Sequence, residues 1–196
     1  MLMKGPVLSE EEIKRIHKDS IRILEEVGVR FPSEEALSIL EKAGAKIDYD
    51  TSVAFISKEM VNSALNSAPK QFTLGARNPI FDFHLPAPAT TLNMDGCGVN
   101  TIDFKTGKKR PSLLQDLADV AKIFDTIPSG TVLWSSVKPH DVPSGGAGVI
   151  SSAVSMLNCG KHLQDEIQNI KELPYIIELC KAFLGSEQEV IDRKIY

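Results

Sequence analysis

The sequence predicts an α/β fold in two parts, a helical amino-terminal segment and then a β-hairpin followed by βα units. Within residues 8–68, three apolar patterns recur at helical spacing, each preceded by a polar cap and closed by glycine or proline. Residues 71–85 alternate apolar and polar side chains around an Asn-Pro turn. From Thr90 onward, strand-forming runs take turns with amphipathic stretches, the order expected of parallel strands covered by helices.

Composition bounds the function classes. With 196 residues and 42% hydrophobic content the chain can bury a core. Its 22 basic against 26 acidic residues leave a charge of −4, which argues against nucleic acid and anionic membrane as partners. Lys108, Lys109 and Arg110 are the one basic cluster and read as turn decoration. Cys97, Cys159 and Cys180 are odd in number and lack C-x-x-C spacing, so neither a disulfide framework nor a metal site is expected. A cytoplasmic setting is expected, with no membrane span and, around Lys4, Gly5 and Pro6, no apolar leader core.

Ser9 and Glu12 form a capping box before Ile13, Ile16, Ser20, Ile23, Leu24 and Val27, with Gly28 as the stop. Ser33 caps a second helix with stripe Leu37, Leu40 and Ala43, ended by Gly44; Ser57 begins a third that stops before Pro69. Residues 1–70 are thus expected to be an all-helical cap. Residues 71–196 are expected to continue the same domain as hairpin plus βα units. His17 and His84 read as surface or packing histidines. A strand is expected from Thr90 to Phe104, bent at Asp95 to Gly98, with a turn at Lys105 to Lys108 after it. Ser112 with Gln115 reads as a second capping box before Leu113, Leu117, Val120, Ala121 and Phe124. A buried strand spans Thr131 to Val137, and a helix carries Val149, Ile150, Ala153, Val154 and Leu157. His162 to Glu166 form a short strand, Asn169 to Leu184 a last helix, and Lys194 to Tyr196 the start of another strand. Three βα units make an open sheet, because a closed (β/α)8 barrel takes about 250 residues.

Chemistry must be sought where strands end. No G-x-G-x-x-G, Walker A or G-x-S-x-G pattern is present, and Gly145 to Gly148 read as a link rather than an anion cradle. The stretch Asn93 to Phe104 is either a bulged hairpin or the floor of a site, since Gly96 and Gly98 remove side chains beside Asp95 and Asn100. Trp134 offers a π-face to a cation or fills a core. His140 and Asp141 serve a site or cap a loop; His162 and Asp165 are weaker candidates.

Five segments carry a family resemblance: LSEEEIKRIH from Leu8, ILEEVGVR from Ile23, APKQFTLGAR from Ala68, GVNTIDFKTG from Gly98 and KPHDVP from Lys138. In this order they resemble the trimethylamine methyltransferase family, whose members are built on a TIM barrel and act on trimethylamine or on quaternary amines such as glycine betaine. The resemblance implies an incomplete TIM (β/α)8 barrel with its first βα units present. It implies methyl transfer from a methylated amine to a Co(I) corrinoid (cobalamin) carried by a partner corrinoid protein, with no cofactor bound directly. Asp95 is then expected to stabilise the positive nitrogen, Trp134 to add cation-π attraction, and Asn100 and His140 to line the pocket. A chain that stops short of the remaining strands is expected to be inactive alone. The alternatives are a noncatalytic module that pairs through its open sheet edge with another chain or a second copy, and an unrelated enzyme using His140 and Asp141 as acid and base.

Overall fold

The computed structural model describes residues 7–167 and 169–196. Lys4, Gly5 and Pro6 lie outside them. The chain divides into two compact units, Met1–Lys70 and Gln71–Tyr196.

In the first unit, helix α1 (Glu10–Arg22) starts as its caps dictate: Glu12 N–H donates to Ser9 Oγ at 3.2 Å and Ser9 N–H to Glu12 Oε2 at 2.7 Å. A π-turn over Ile23–Val27 ends at Gly28, whose φ of 75° and N–H bond to the Ile23 carbonyl require glycine. Helices α2 (Glu34–Lys42) and α3 (Lys58–Ser67) begin at Ser33 and Ser57. The all-helical expectation is corrected by an antiparallel sheet of β1 (Val29–Arg30), β2 (Lys46–Asp48) and β3 (Val53–Phe55), in the order β1-β3-β2. Strands of two or three residues are too short to leave an alternation in sequence. The stripe assigned to α1 is also corrected. Ile21 is its buried residue, whereas Ile13 and Ile16 are each 54% exposed.

In the second unit, β4 (Phe72–Leu74) and β5 (Phe83–Leu85) form the expected hairpin, joined through a 3-10 turn at Pro79–Phe81. Beyond it, β6 (Leu92–Asn93), β9 (Gly130–Trp134) and β10 (His162–Gln164) are parallel, in the order β10-β9-β6. The strand expected over Thr90 to Phe104 is broken. It leaves the sheet after Asn93, and β7 (Asn100–Ile102) pairs instead with β8 (Lys109–Pro111). Helices α4 (Leu114–Asp125), α5 (Ala147–Asn158) and α6 (Leu173–Leu184) cover the strands in turn, and a short helix α7 (Glu187–Arg193) occupies a region with no earlier assignment. Phe124, Leu133, Met156, Leu163, Ile176 and Ile195 share one core. The fold is therefore mixed α/β, with no closed barrel among the described residues.

Three readings of this unit are refined. On α5 the apolar Leu157 is exposed, while Ser151, Ser152 and Ser155 are buried. Small side chains let α5 approach the residue that follows β9, with Ser155 Oγ 3.4 Å from Ser135 Oγ. Ser112 does not cap α4: it is buried and accepts from Thr101 Oγ1, while Asp116 accepts from Leu113 N–H at 2.8 Å. Arg110 is no turn decoration, since it makes paired bonds of 2.7 and 2.8 Å to Asp116 and a 3.4 Å contact with Asp103, fastening the β7–β8 hairpin to α4.

Two edges of the parallel sheet differ in what they carry. The β4–β5 hairpin docks at the amino-terminal edge, where His162 Nδ1 lies 2.8 Å from the Gly75 carbonyl, Asn78 N–H donates to the Gly160 carbonyl, and Arg193 bridges to Asp82 at 2.9 Å. The carboxyl-terminal edge is left to the loops.

The guanidinium of Arg110, with the Leu113 amide, holds the Asp116 carboxyl down at about 2. A depressed carboxylate stabilises the fold above its ordinary range and ceases to do so as pH falls through that value. Asp116→Asn is expected to cost about 1–2 kcal/mol near pH 7, less than the full shift because the pair is partly solvated. Urea unfolding of both forms should give a difference that closes as pH falls from about 4 toward 2.

Candidate functional site

A cavity of about 300 Å³ sits at the carboxyl-terminal edge of the parallel strands. That is the lower end of the roughly 300–1,000 Å³ typical of small-molecule pockets. Its wall is assembled from residues at and just beyond the strand ends: Gly96 and Cys97 after β6, Trp134, Ser135, Val137 to His140 and Val142 from β9 and its loop, Asp165 and Glu166 after β10. Ser144, Gly148 and Ser151 come from the start of α5 and the turn before it, and Glu172 from the turn that leads into α6. In parallel α/β sheets this edge gathers side chains that are distant in sequence.

Two glycines make room for site side chains. A Cβ on Gly96 would lie 2.6 Å from the Ser135 carbonyl oxygen and 2.9 Å from Trp134 Cδ1. A Cβ on Gly148 would lie 2.7 Å from a Glu172 carboxylate oxygen. Glycine at these positions lets the indole and the carboxylate occupy that space. The break after β6 stays attached to the sheet: Gly98 N–H donates to the Ser136 carbonyl and Lys138 N–H to the Gly98 carbonyl, both at 2.8 Å. The two readings of Asn93 to Phe104 are thus realised in sequence, a site wall at Gly96 and Cys97 and a hairpin from Asn100 onward.

Of the four residues expected in a pocket, Trp134 and His140 line the cavity. Asp95 and Asn100 are outside its lining. Asp95 accepts from Gly96 N–H at 3.0 Å within its own bend, and Asn100 lies on β7, paired with Pro111. Asp141 turns to α4 and accepts from Leu114 N–H at 2.8 Å, so of its two open roles it fills the capping one. His162 is buried against the hairpin. Sequence reasoning missed Glu172 and Ser151, which carry no motif and meet only through the order of the strands; Cys97 lies within the stretch expected as a site floor.

Three carboxylates, Asp165, Glu166 and Glu172, face one lysine, Lys138, around the cavity. None of the three forms an ion pair among the described residues. Burial pushes the Asp165 carboxyl up, and the neighbouring Glu166 and Glu172 push it further, against the Ser135 hydroxyl and the Glu166 amide. Such a wall suits a small cation. The indole adds a face that attracts one.

Comparison with known proteins bears on the chain as a whole. The trimethylamine methyltransferase (MTTB) family profile matches residues 2–195. The chain belongs to this family. It is 28% identical over 188 residues to a trimethylamine methyltransferase MttB of Desulfitobacterium hafniense (strain DSM 10664 / DCB-2), covering 96% of this chain and 38% of that relative. It is 26% identical over 200 residues to a glycine betaine methyltransferase of Desulfitobacterium hafniense (strain Y51), covering 100% of this chain and 40% of the relative. A trimethylamine methyltransferase MttB of Methanosarcina thermophila is 27% identical over 192 residues, 96% of this chain and 40% of its own length. The chain thus spans about two fifths of these relatives. Among the described residues no helix is long and apolar enough to cross a membrane.

A carboxyl whose ionisation is disfavoured in the fold weakens the fold once it ionises: its stabilising contribution is complete below the ordinary carboxylate range and is lost as pH rises through the raised value. Asp165→Asn is therefore expected to unfold at higher temperature than the parent at neutral pH. Thermal scans should show that advantage vanish in mild acid; an equal or lower midpoint at neutral pH would contradict the half-buried state of this group without a counter-ion.

Proposed function

We propose that this chain supplies the first βα units of a (β/α)8 barrel in an enzyme that moves a methyl group from trimethylamine or a quaternary amine to a corrinoid protein. The observation that carries the reading is the unpaired acidic wall beside Trp134 at the carboxyl edge of consecutive parallel strands. Family membership supports methyl transfer. The strand order supports a barrel, because β6, β9 and β10 lie side by side in chain order and the Ile195 carbonyl accepts from Leu163 N–H at the free side of β10.

Co(I) corrinoid, held by a separate protein, supplies the nucleophile. The residues of this chain have a different task. The substrate nitrogen is positive before transfer and neutral after it, so attraction from Glu172, Asp165 and the Trp134 face is strongest for the bound substrate and fades as the charge leaves nitrogen. These groups bind and orient the amine so that one methyl points out of the cavity, where alignment lowers the barrier. Burial and the neighbouring acids disfavour the charge on Asp165, which moderates that ground-state attraction. His140, at the rim, offers a hydrogen bond. Asp95 keeps the bend that presents Gly96 to the indole.

The chain spans two fifths of its relatives, and we assign the complete reaction to the longer architecture. The purified chain alone is expected not to methylate a Co(I) corrinoid protein with trimethylamine as donor, as monitored by visible absorption. Mixed with the carboxyl-terminal three fifths of the Methanosarcina thermophila relative, it is expected to give amine-dependent bleaching of the Co(I) band. Turnover by the chain alone would refute the division of labour, and none in the mixture, with both parts folded and associated, would refute the reaction.

A further inference from the structure

The lining of the cavity is unbalanced in charge, and the imbalance has a direction. Asp165, Glu166 and Glu172 are three acids against Lys138, and the acids lack ion-pair partners among the described residues. They are not arranged as an inorganic site: no three His, Cys, Asp or Glu side chains among the described residues are grouped to hold a metal ion. The other walls are the indole of Trp134, the apolar Val137, Pro139, Val142 and Ala147, and the buried Ser151, which is 6% exposed. No hydrogen bond among the described residues uses the Ser151 hydroxyl, although it faces the cavity. An aromatic face, apolar patches and an acidic rim match an organic cation with a methylated surface; an unused hydroxyl adds one polar contact.

We propose that this cavity selects methylated ammonium ions that bear no carboxylate, such as tetramethylammonium, trimethylammonium or choline, over zwitterionic betaines. The proposal rests on the amine-transfer reading only for the class of ligand. A betaine brings its own anion within a few ångströms of its nitrogen, and in a pocket of this size that anion meets Glu166, Glu172 or Asp165 with only Lys138 to answer it. Like charges brought together in a confined space exclude a ligand more effectively than lost contacts do. Glu172 is the decisive group: its carboxylate lies over Gly148 in space that any larger residue would take, at the head of α5.

Trp134 is the sole tryptophan, so its emission reports this cavity directly. The full 196-residue chain is titrated at constant ionic strength with tetramethylammonium, choline, glycine betaine and 3,3-dimethylbutan-1-ol, the neutral shape analogue of choline. Tetramethylammonium and choline are expected to change the emission saturably, with Kd at least about tenfold below those of the betaine and the alcohol, a gap of about 1.4 kcal/mol. Glu172→Gln, with an unchanged circular dichroism spectrum, is expected to erase most of the advantage over betaine. Betaine binding as tightly as choline, the alcohol binding as tightly as choline, or no saturable change with any of the four would overturn the proposal. Selective binding without methyl transfer in the mixed assay would leave this inference standing and sink the reaction, whereas equal transfer from betaine and trimethylamine would do the reverse.

Discussion

The Lys161 ammonium is buried in the second unit, 3% exposed, and several elements meet around it. Its Nζ donates to the Phe124 carbonyl at 2.9 Å and to the Ile127 carbonyl at 2.5 Å, at and just past the carboxyl end of α4, where the same oxygens also accept from the Ile127 and Gly130 amides. The same group lies 4.8 Å from the centre of the Phe124 ring and 5.5 Å from that of Phe81 in the β4–β5 connection. Burial pulls its pKa down. The carbonyls and ring faces keep the charged form acceptable inside the fold. Just before it, Gly160 N–H donates to Asp125, and just after it β10 begins. One cation therefore sets α4, β9, β10 and the hairpin in register at the amino-terminal edge of the sheet.

That division of edges explains how the chain separates stability from chemistry. Polar groups at the amino-terminal edge are largely paired: Lys161, His162, Asp82 and the Arg193 Nη2 have partners, and only Arg193 Nε is buried without one among them. At the carboxyl-terminal edge the acids Asp165, Glu166 and Glu172 stand without counter-ions among the described residues, and burial there disfavours the charged form of Asp165. A fold that left the acids unpaired for no reason would be weakened by their mutual repulsion. The closed packing on one edge tolerates the strain on the other.

Much of the local structure was legible. Ser9 with Glu12, Ser33 and Ser57 start helices as capping chemistry requires, and Gly28, Gly44 and Gly185 stop them with φ of 75°, 103° and 91°. The parallel order of β6, β9 and β10 could be read from the alternation of strand and helix patterns. The burial of α5 was not legible, because a serine face buries well only where a neighbouring element comes close enough to exclude water. Nor was the antiparallel sheet of the first unit, whose two- and three-residue strands are held by pairing with one another rather than by their own composition.

The site divides along the same line. Trp134 and His140 could be singled out from a strand and the loop that leaves it, since both depend on nearby residues. Glu172 and Ser151 could not, for they are drawn from separate parts of the chain and join Asp165 only when parallel pairing brings the strand ends together. By itself the sequence determined most of the helices, the Ser9, Ser33 and Ser57 caps, the βα order and the family, because these rest on interactions between residues a few positions apart or on similarity along the whole chain. Tertiary structure alone decided which acids share a cavity with the indole, that Asp141 caps α4, and that Asp95 stays outside. Those outcomes depend on register across the sheet, a property no single stretch of the chain possesses.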